Sequence, residues 1–132
     1  MDILADTHII LWSFFEPEKL SSKAQKILTD KNNLIYYSTI SMWEVAIKHN
    51  RKKLDVSGTE FLHYCEQAGF IKLPFDDRHI VALENLEKKE GAPEHNDPFD
   101  NALLAQAKAD NLLLLTHDSK FLVFDEPYYS IV

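Results

Sequence analysis

Short apolar runs alternate with longer stretches of helical periodicity along the whole chain. Residues 1–5 read as a short buried strand ending at Asp6, and the apolar-rich residues 7–15 read as a helix. Ser21 and Ser22, followed by Gln25, carry a capping-box signal for a helix reaching about Asp30. Residues 34–38 are rich in β-formers and predict a strand. Residues 40–52 and 58–68 are helical. The second of these is opened by Ser57, with Glu60 three residues on, and stopped by Gly69. Residues 70–73 predict a strand and 76–86 a helix, and residues 88–96, with Gly91 and Pro93, are the most loop-like stretch. Asp97-Pro98 opens a helix to about Asp110, proline being favoured at the first helical position. Residues 112–116 form an apolar strand, and residues 128–132 predict a final edge strand.

Continuously apolar strands separated by helices indicate α/β architecture, a parallel sheet covered by helices on both faces. The 132 residues fit one domain spanning residues 1–132. In such sheets function gathers beyond the carboxyl ends of the strands, which singles out Asp6 and Asp118. Both positions are also natural helix starts, where an acid serves as an N-cap.

Composition narrows the class. Apolar residues make up 45% and charged residues 27%, which excludes intrinsic disorder and collagen-like repeats. No apolar run exceeds four residues, so no membrane span is expected, and the opening MDILADTH lacks the basic segment of a signal peptide. A single cysteine, Cys65, allows neither an internal disulfide nor a multi-cysteine zinc site. The expected localisation is cytoplasmic. Fourteen basic against twenty-one acidic residues give a net charge of −7, which excludes nucleic-acid binding by a broad basic surface. Contact with nucleic acid would require a bound cation, a local basic patch or a basic partner.

The acids themselves are unusual in placement. On the helical wheel of residues 98–109, Asp100 stacks against Leu103, Leu104 and Ala107, so it faces inward. A first-turn position below an Asp97 N-cap explains why an acid is tolerated there, though not its apolar neighbours. On the helix from Ile40, apolar residues cover most of the circumference and leave a narrow wedge of Ser41, Glu44 and Lys48. That wedge is either a cleft wall or an i,i+4 surface ion pair. Two carboxylates about 5 Å apart repel by roughly 3 kcal/mol at an effective dielectric near 20. Four that converge therefore call for a hard divalent cation such as Mg²⁺ or Mn²⁺. The reaction such a site suits is hydrolysis of a phosphodiester.

Three segments carry a family resemblance: LADTHIILW, SMWEVAIKHNRKKL and HNDPFDNALLAQAKADNLLLLTHDSKF. In this order and spacing they resemble PIN-domain ribonucleases, most closely the VapC-type toxins of toxin–antitoxin pairs. The resemblance implies a three-layer α/β/α sandwich with a central, mostly parallel sheet. It also implies a catalytic, Mg²⁺-binding quartet of Asp6, Glu44, Asp100 and Asp118, with Asp97 as a fifth acid at the rim. RNA as substrate, homodimers and inhibition by a small antitoxin come with it. A phosphatase of the haloacid-dehalogenase type would want an acid where His8 stands. An inactive relic acting on DNA through an antitoxin complex is the non-enzymatic alternative.

Other residues admit two readings each. Thr7 and Thr116 neighbour quartet acids and would either hold a metal-bound water or simply mark a helix start and a strand end. Lys48, Arg51, Lys52 and Lys53 are either phosphate contacts or a solvated helix end favoured by the dipole. His8, His95 and His117 lie near acids, but no zinc-type spacing accompanies them. Trp12, with Ile9, Leu11 and Phe15, reads as core or interface rather than as a stacking platform.

Overall fold

A computed structural model describes residues 1–132. Five strands, β1 (Asp2–Ala5), β2 (Leu34–Ser38), β3 (Ile71–Leu73), β4 (Leu113–Thr116) and β5 (Tyr129–Ile131), form one sheet in the order β3-β2-β1-β4-β5. Every pairing is parallel, with Ile3 opposite both Ile35 and Leu113. Six helices join and cover the strands: α1 (Thr7–Phe15), α2 (Ser22–Thr29), α3 (Thr39–Asn50), α4 (Gly58–Gln67), α5 (Asp77–Glu84) and α6 (Pro98–Asp110). The helices and strands expected from the pattern are all present, within a residue or two at their ends.

The central strands β1 and β4 are buried on both faces beyond their first residues, as their apolar runs require. Successive side chains of a strand point to opposite faces. Accordingly Ile3 and Ala5 pack with Ile9, Ile10, Val45 and Phe61 in one core, while Leu4 packs with Leu103, Leu104 and Ala107 in the other. The first core lies under α1 to α4 and the second under α6, which gives three layers.

Local chemistry sets the helix ends. Ser57 and Glu60 form the expected capping box at α4, and Gly69, with φ +76°, turns the chain out of it. At α2 the expectation fails in part. Ser21 is the N-cap, accepting from the Ala24 amide, but the Gln25 side chain donates to the carbonyls of Pro17 and Leu20. The reason is a short 3-10 turn at Pro17–Lys19, which brings those carbonyls within reach. A second 3-10 turn, Ser119–Val123, follows β4, and neither turn carries a periodicity long enough to read in sequence.

The order of the strands reverses at β1 and β4. The chain winds outward from β1 through β2 to β3, then returns to add β4 and β5 on the other side. Ligands of open parallel sheets bind in the crevice at such a switch point, beyond the carboxyl ends of the strands. Asp6 and Asp118 stand at the ends of those two strands.

Candidate active site

Asp6 follows β1 directly, and its amide donates to the Leu115 carbonyl on β4 at 2.9 Å, which pins the two strand ends together. Its carboxylate is 5% exposed and held from two sides. The Thr7 amide donates to Oδ1 at 2.7 Å, and the Thr116 hydroxyl donates to Oδ2 at 2.7 Å. Burial pushes the Asp6 carboxyl above the ordinary carboxylate range, while these two hydrogen bonds pull it back.

Asp100 lies in the first turn of α6, inward-facing as its wheel position requires, and is 8% exposed. Its Oδ2 meets His95 Nε2 at 2.8 Å. Desolvation, with the charges of Asp6, Asp97, Asp118 and Glu44 behind it, pushes the Asp100 carboxyl up to about 8. Asp97 is the N-cap of the same helix, its Oδ1 accepting from the amides of Phe99 and Asp100 at 2.9 and 3.3 Å. Glu44 projects from α3, is 5% exposed, and accepts from Lys48 Nζ at 2.6 Å. Asp118 caps the 3-10 turn after β4, Oδ1 accepting from the Lys120 amide at 2.9 Å.

All five acids line one cleft of about 370 Å³, together with Lys48, His8, His117, Ser119 and Trp12. Asp6, Asp97 and Asp118 are thus N-caps that also line the cleft. Likewise the Glu44–Lys48 pair is an i,i+4 ion pair that forms the cleft wall.

The oxygens on this floor are hard donors suited to a divalent cation, and burial first, then the neighbouring acids, push the Asp100 carboxyl up to about 8. As they stand, no three Asp, Glu, His or Cys side chains form a group able to hold a metal ion. Lys48, His95, Thr116 and the Thr7 amide engage the carboxylate oxygens instead.

Several side chains stand elsewhere than expected. The Thr7 hydroxyl donates to Ser41 Oγ at 2.8 Å, tying α1 to α3. The Thr116 hydroxyl donates to Asp6 and accepts from the Asp118 amide at 3.1 Å. Both threonines are buried and neither lines the cleft; the Thr116 hydroxyl orients Asp6, whereas Thr7 does so only through its amide. Of the basic run, only Lys48 lines the cleft; Arg51, Lys52 and Lys53 are exposed just past the end of α3. Trp43, on a helix apolar nearly all round, is 57% exposed and packs edge-to-face on Phe99 at 5.2 Å. Trp12, read as core or interface, reaches the cleft wall.

Sequence reasoning missed His95. It weighed the residue only as a zinc ligand, whereas the loop before α6 folds its ring onto Asp100 and between Phe121 and Phe124. The available signal was proximity: His95 lies two residues before the Asp97 cap, and Asp100 in the turn just beyond it.

Comparison with solved structures gives close overlaps of fold. A chain of the VapBC2 structure from Rickettsia felis, bound to a DNA fragment from its promoter, matches at a TM-score of 0.73 and 19% identity over 99% of this chain and 98% of that one. A chain of DNA-bound VapBC from Salmonella typhimurium matches at 0.64 and 15% over 100% and 97%. A chain of a toxin–antitoxin complex from Klebsiella pneumoniae matches at 0.58 and 17% over 97% and 95%. No curated protein matches the sequence significantly. The family model of the PIN domain covers residues 3–127, nearly the whole length and all five acids of the cleft, and the chain belongs to the PIN domain family.

Proposed function

We propose that the chain is a divalent-cation-dependent endoribonuclease that hydrolyses RNA phosphodiester bonds and serves as the toxin of a toxin–antitoxin pair. The observation that carries this reading is the convergence of Asp6, Glu44, Asp97, Asp100 and Asp118 on one cleft at the switch point of the sheet. Family membership and the overlap with a chain of a toxin–antitoxin complex support it.

In this reading Asp6, Glu44, Asp100 and Asp118 hold Mg²⁺, or Mn²⁺ in its place, with Asp97 at the rim. When bound, the cation offsets the charge of the acids and the phosphodiester and activates water for attack. The chain supplies the rest. Thr116 and the Thr7 amide fix both oxygens of Asp6, so its carboxylate is oriented before any ligand arrives. His95 does the same for one oxygen of Asp100. Lys48, at the cleft wall, would meet a phosphate oxygen, and the exposed Arg51, Lys52 and Lys53, just past the end of α3, would add positive charge outside the cleft. A cognate small antitoxin and a homodimer belong to the same reading, and exposed Ile80 and Val81 on α5 offer apolar surface for such contacts. No helix is long and apolar enough to cross a membrane.

The test is direct. RNA incubated with the purified protein should be cut in Mg²⁺ or Mn²⁺ and left intact in EDTA, with cleavage by Asp100→Asn slowed at least ~100-fold. Cleavage that survives EDTA, or that is undiminished in Asp100→Asn, would overturn the reading.

A further inference from the structure

Trp12 is the single apolar residue lining the acid cleft. Two imidazoles hold it there. The His117 ring packs edge-to-face at 5.2 Å between centroids and 71°, and the His8 ring lies 5.9 Å away, tilted by 38°. Both histidines are exposed and line the same cleft. His117 is itself anchored, with Nδ1 2.6 Å from the Val132 carbonyl oxygen. A carbonyl only accepts, so Nδ1 donates and Nε2 is left facing away from that bond.

Trp12 and His8 also line a neighbouring groove, with Leu11, Phe15, Leu54 and Val56, so the two rings form the ridge between groove and cleft. The Lys19 ammonium, 5.9 Å over the ring, lines the groove and not the cleft, and His117 lines the cleft and not the groove. The cleft side of the ridge is therefore an aromatic corner made by Trp12 and His117, with His8 beside it. It is continuous with the acid floor: His8 is two residues beyond Asp6, Trp12 one helical turn further, and His117 precedes Asp118.

A nucleotide has an anionic phosphate and a planar, weakly polar base. A floor of five acids serves only the phosphate, and only with a cation's help. The base needs a π-surface with donors or acceptors at its edge, and every base has a face that stacks. We propose that Trp12, His117 and His8 form a base-stacking subsite that seats one nucleobase of single-stranded RNA beside the phosphate held over the acids. The proposal rests on the nuclease reading above and adds to it where the substrate base goes. Trp12 acts here as a positioning residue, with the imidazole edges of His8 and His117 within reach of the base.

The chain has two tryptophans, and Trp43 does not line the cleft, so Trp43→Phe leaves Trp12 as the sole indole fluorophore. Adenosine 5′-monophosphate, which has no phosphodiester to cut, should quench that fluorescence saturably in Mg²⁺, and ribose 5-phosphate should not. Trp12→Ala should raise KM for RNA cleavage about 5- to 150-fold, the loss of one stacked base, with kcat little changed. Trp12→Phe should restore KM close to the parent's, and melting curves establish that each variant is folded. Should Trp12→Ala fail to fold, the quench decides the matter. RNA cleavage with no quench, or an unchanged KM in folded Trp12→Ala, overturns the stacking subsite alone. Absence of RNA cleavage by the parent protein in Mg²⁺ or Mn²⁺ overturns the nuclease reading and this proposal with it.

Discussion

His95 Nε2 stands 2.8 Å from Asp100 Oδ2, and the two side chains are only 6% and 12% exposed. The contact gives a buried carboxylate at the centre of an acid cluster one polar partner of its own. It also anchors the loop before α6, since the His95 ring packs edge-on against Phe121 and Phe124 at 5.7 and 6.0 Å.

Replacing His95 by Ala leaves that carboxylate oxygen without its partner, at a cost of about 1–3 kcal/mol. The metal-free protein should melt several degrees lower. Cleavage should slow as well, because Asp100 loses the group that orients it. An unchanged melting curve would show that the contact contributes nothing to the fold.

Asp100 also sets the pH dependence of metal-free stability. Its carboxyl is pushed up to about 8 in the folded chain, against an ordinary value of 3.8. Between those values the folded state binds more protons than the unfolded one, so stability falls as pH rises. The contribution is fully present below pH 4 and lost through pH 8, and Asp6, raised by its burial, acts in the same direction. In EDTA the melting temperature should therefore fall between pH 5 and pH 8, and the fall should be shallower in Asp100→Asn. A parent curve that rises over this range would contradict the assigned burial and crowding.

Activity should rank the acids. Asp6→Asn and Asp100→Asn should each slow RNA cleavage at least ~100-fold, since each removes charge that fixes the ion and its water. Asp97→Asn should be milder, because asparagine still caps α6. Equal losses at Asp97 and Asp100, measured as kcat/KM at fixed Mg²⁺, would place Asp97 among the principal ligands.

The basic run should divide in two. Lys48 lines the cleft and pairs with Glu44, whereas Lys52 and Lys53 stand outside it. Lys48→Ala should lower kcat/KM at every salt concentration. The double change Lys52→Ala with Lys53→Ala should weaken RNA binding only at low salt, as screened phosphate contacts do. Salt titrations of RNA binding with both proteins make the comparison.

Much of this arrangement is legible in the residues. Uninterrupted apolar strands give the parallel sheet, and the inward face of Asp100 follows from 3.6-residue periodicity alone. The Glu44 wedge is visible for the same reason, since a helix apolar nearly all round must aim its few polar groups somewhere specific. What sequence hides is contact across elements. Thr7 and Thr116 neighbour acids in the chain, yet where their hydroxyls go depends on Ser41 and on the pairing of β1 with β4. His95 sits in a loop with no periodicity to aim it. Trp12 looks like a core residue by its neighbours on α1, and only the approach of His117 from beyond β4 shows that it walls the cleft.

Three of the five cleft acids serve also as N-caps: Asp6 for α1, Asp97 for α6 and Asp118 for the 3-10 turn. Mutational drift in a copy freed from any catalytic demand would not treat the five alike. Aspartate at a cap is retained, or exchanged for Asn, Ser or Thr, because helix initiation selects for it independently. Neither Glu44 nor Asp100 is a cap, and both bear the burden of burial. A decayed descendant would therefore keep its caps and lose Glu44 and Asp100 first, which makes these two the diagnostic positions for telling a working site from its fossil.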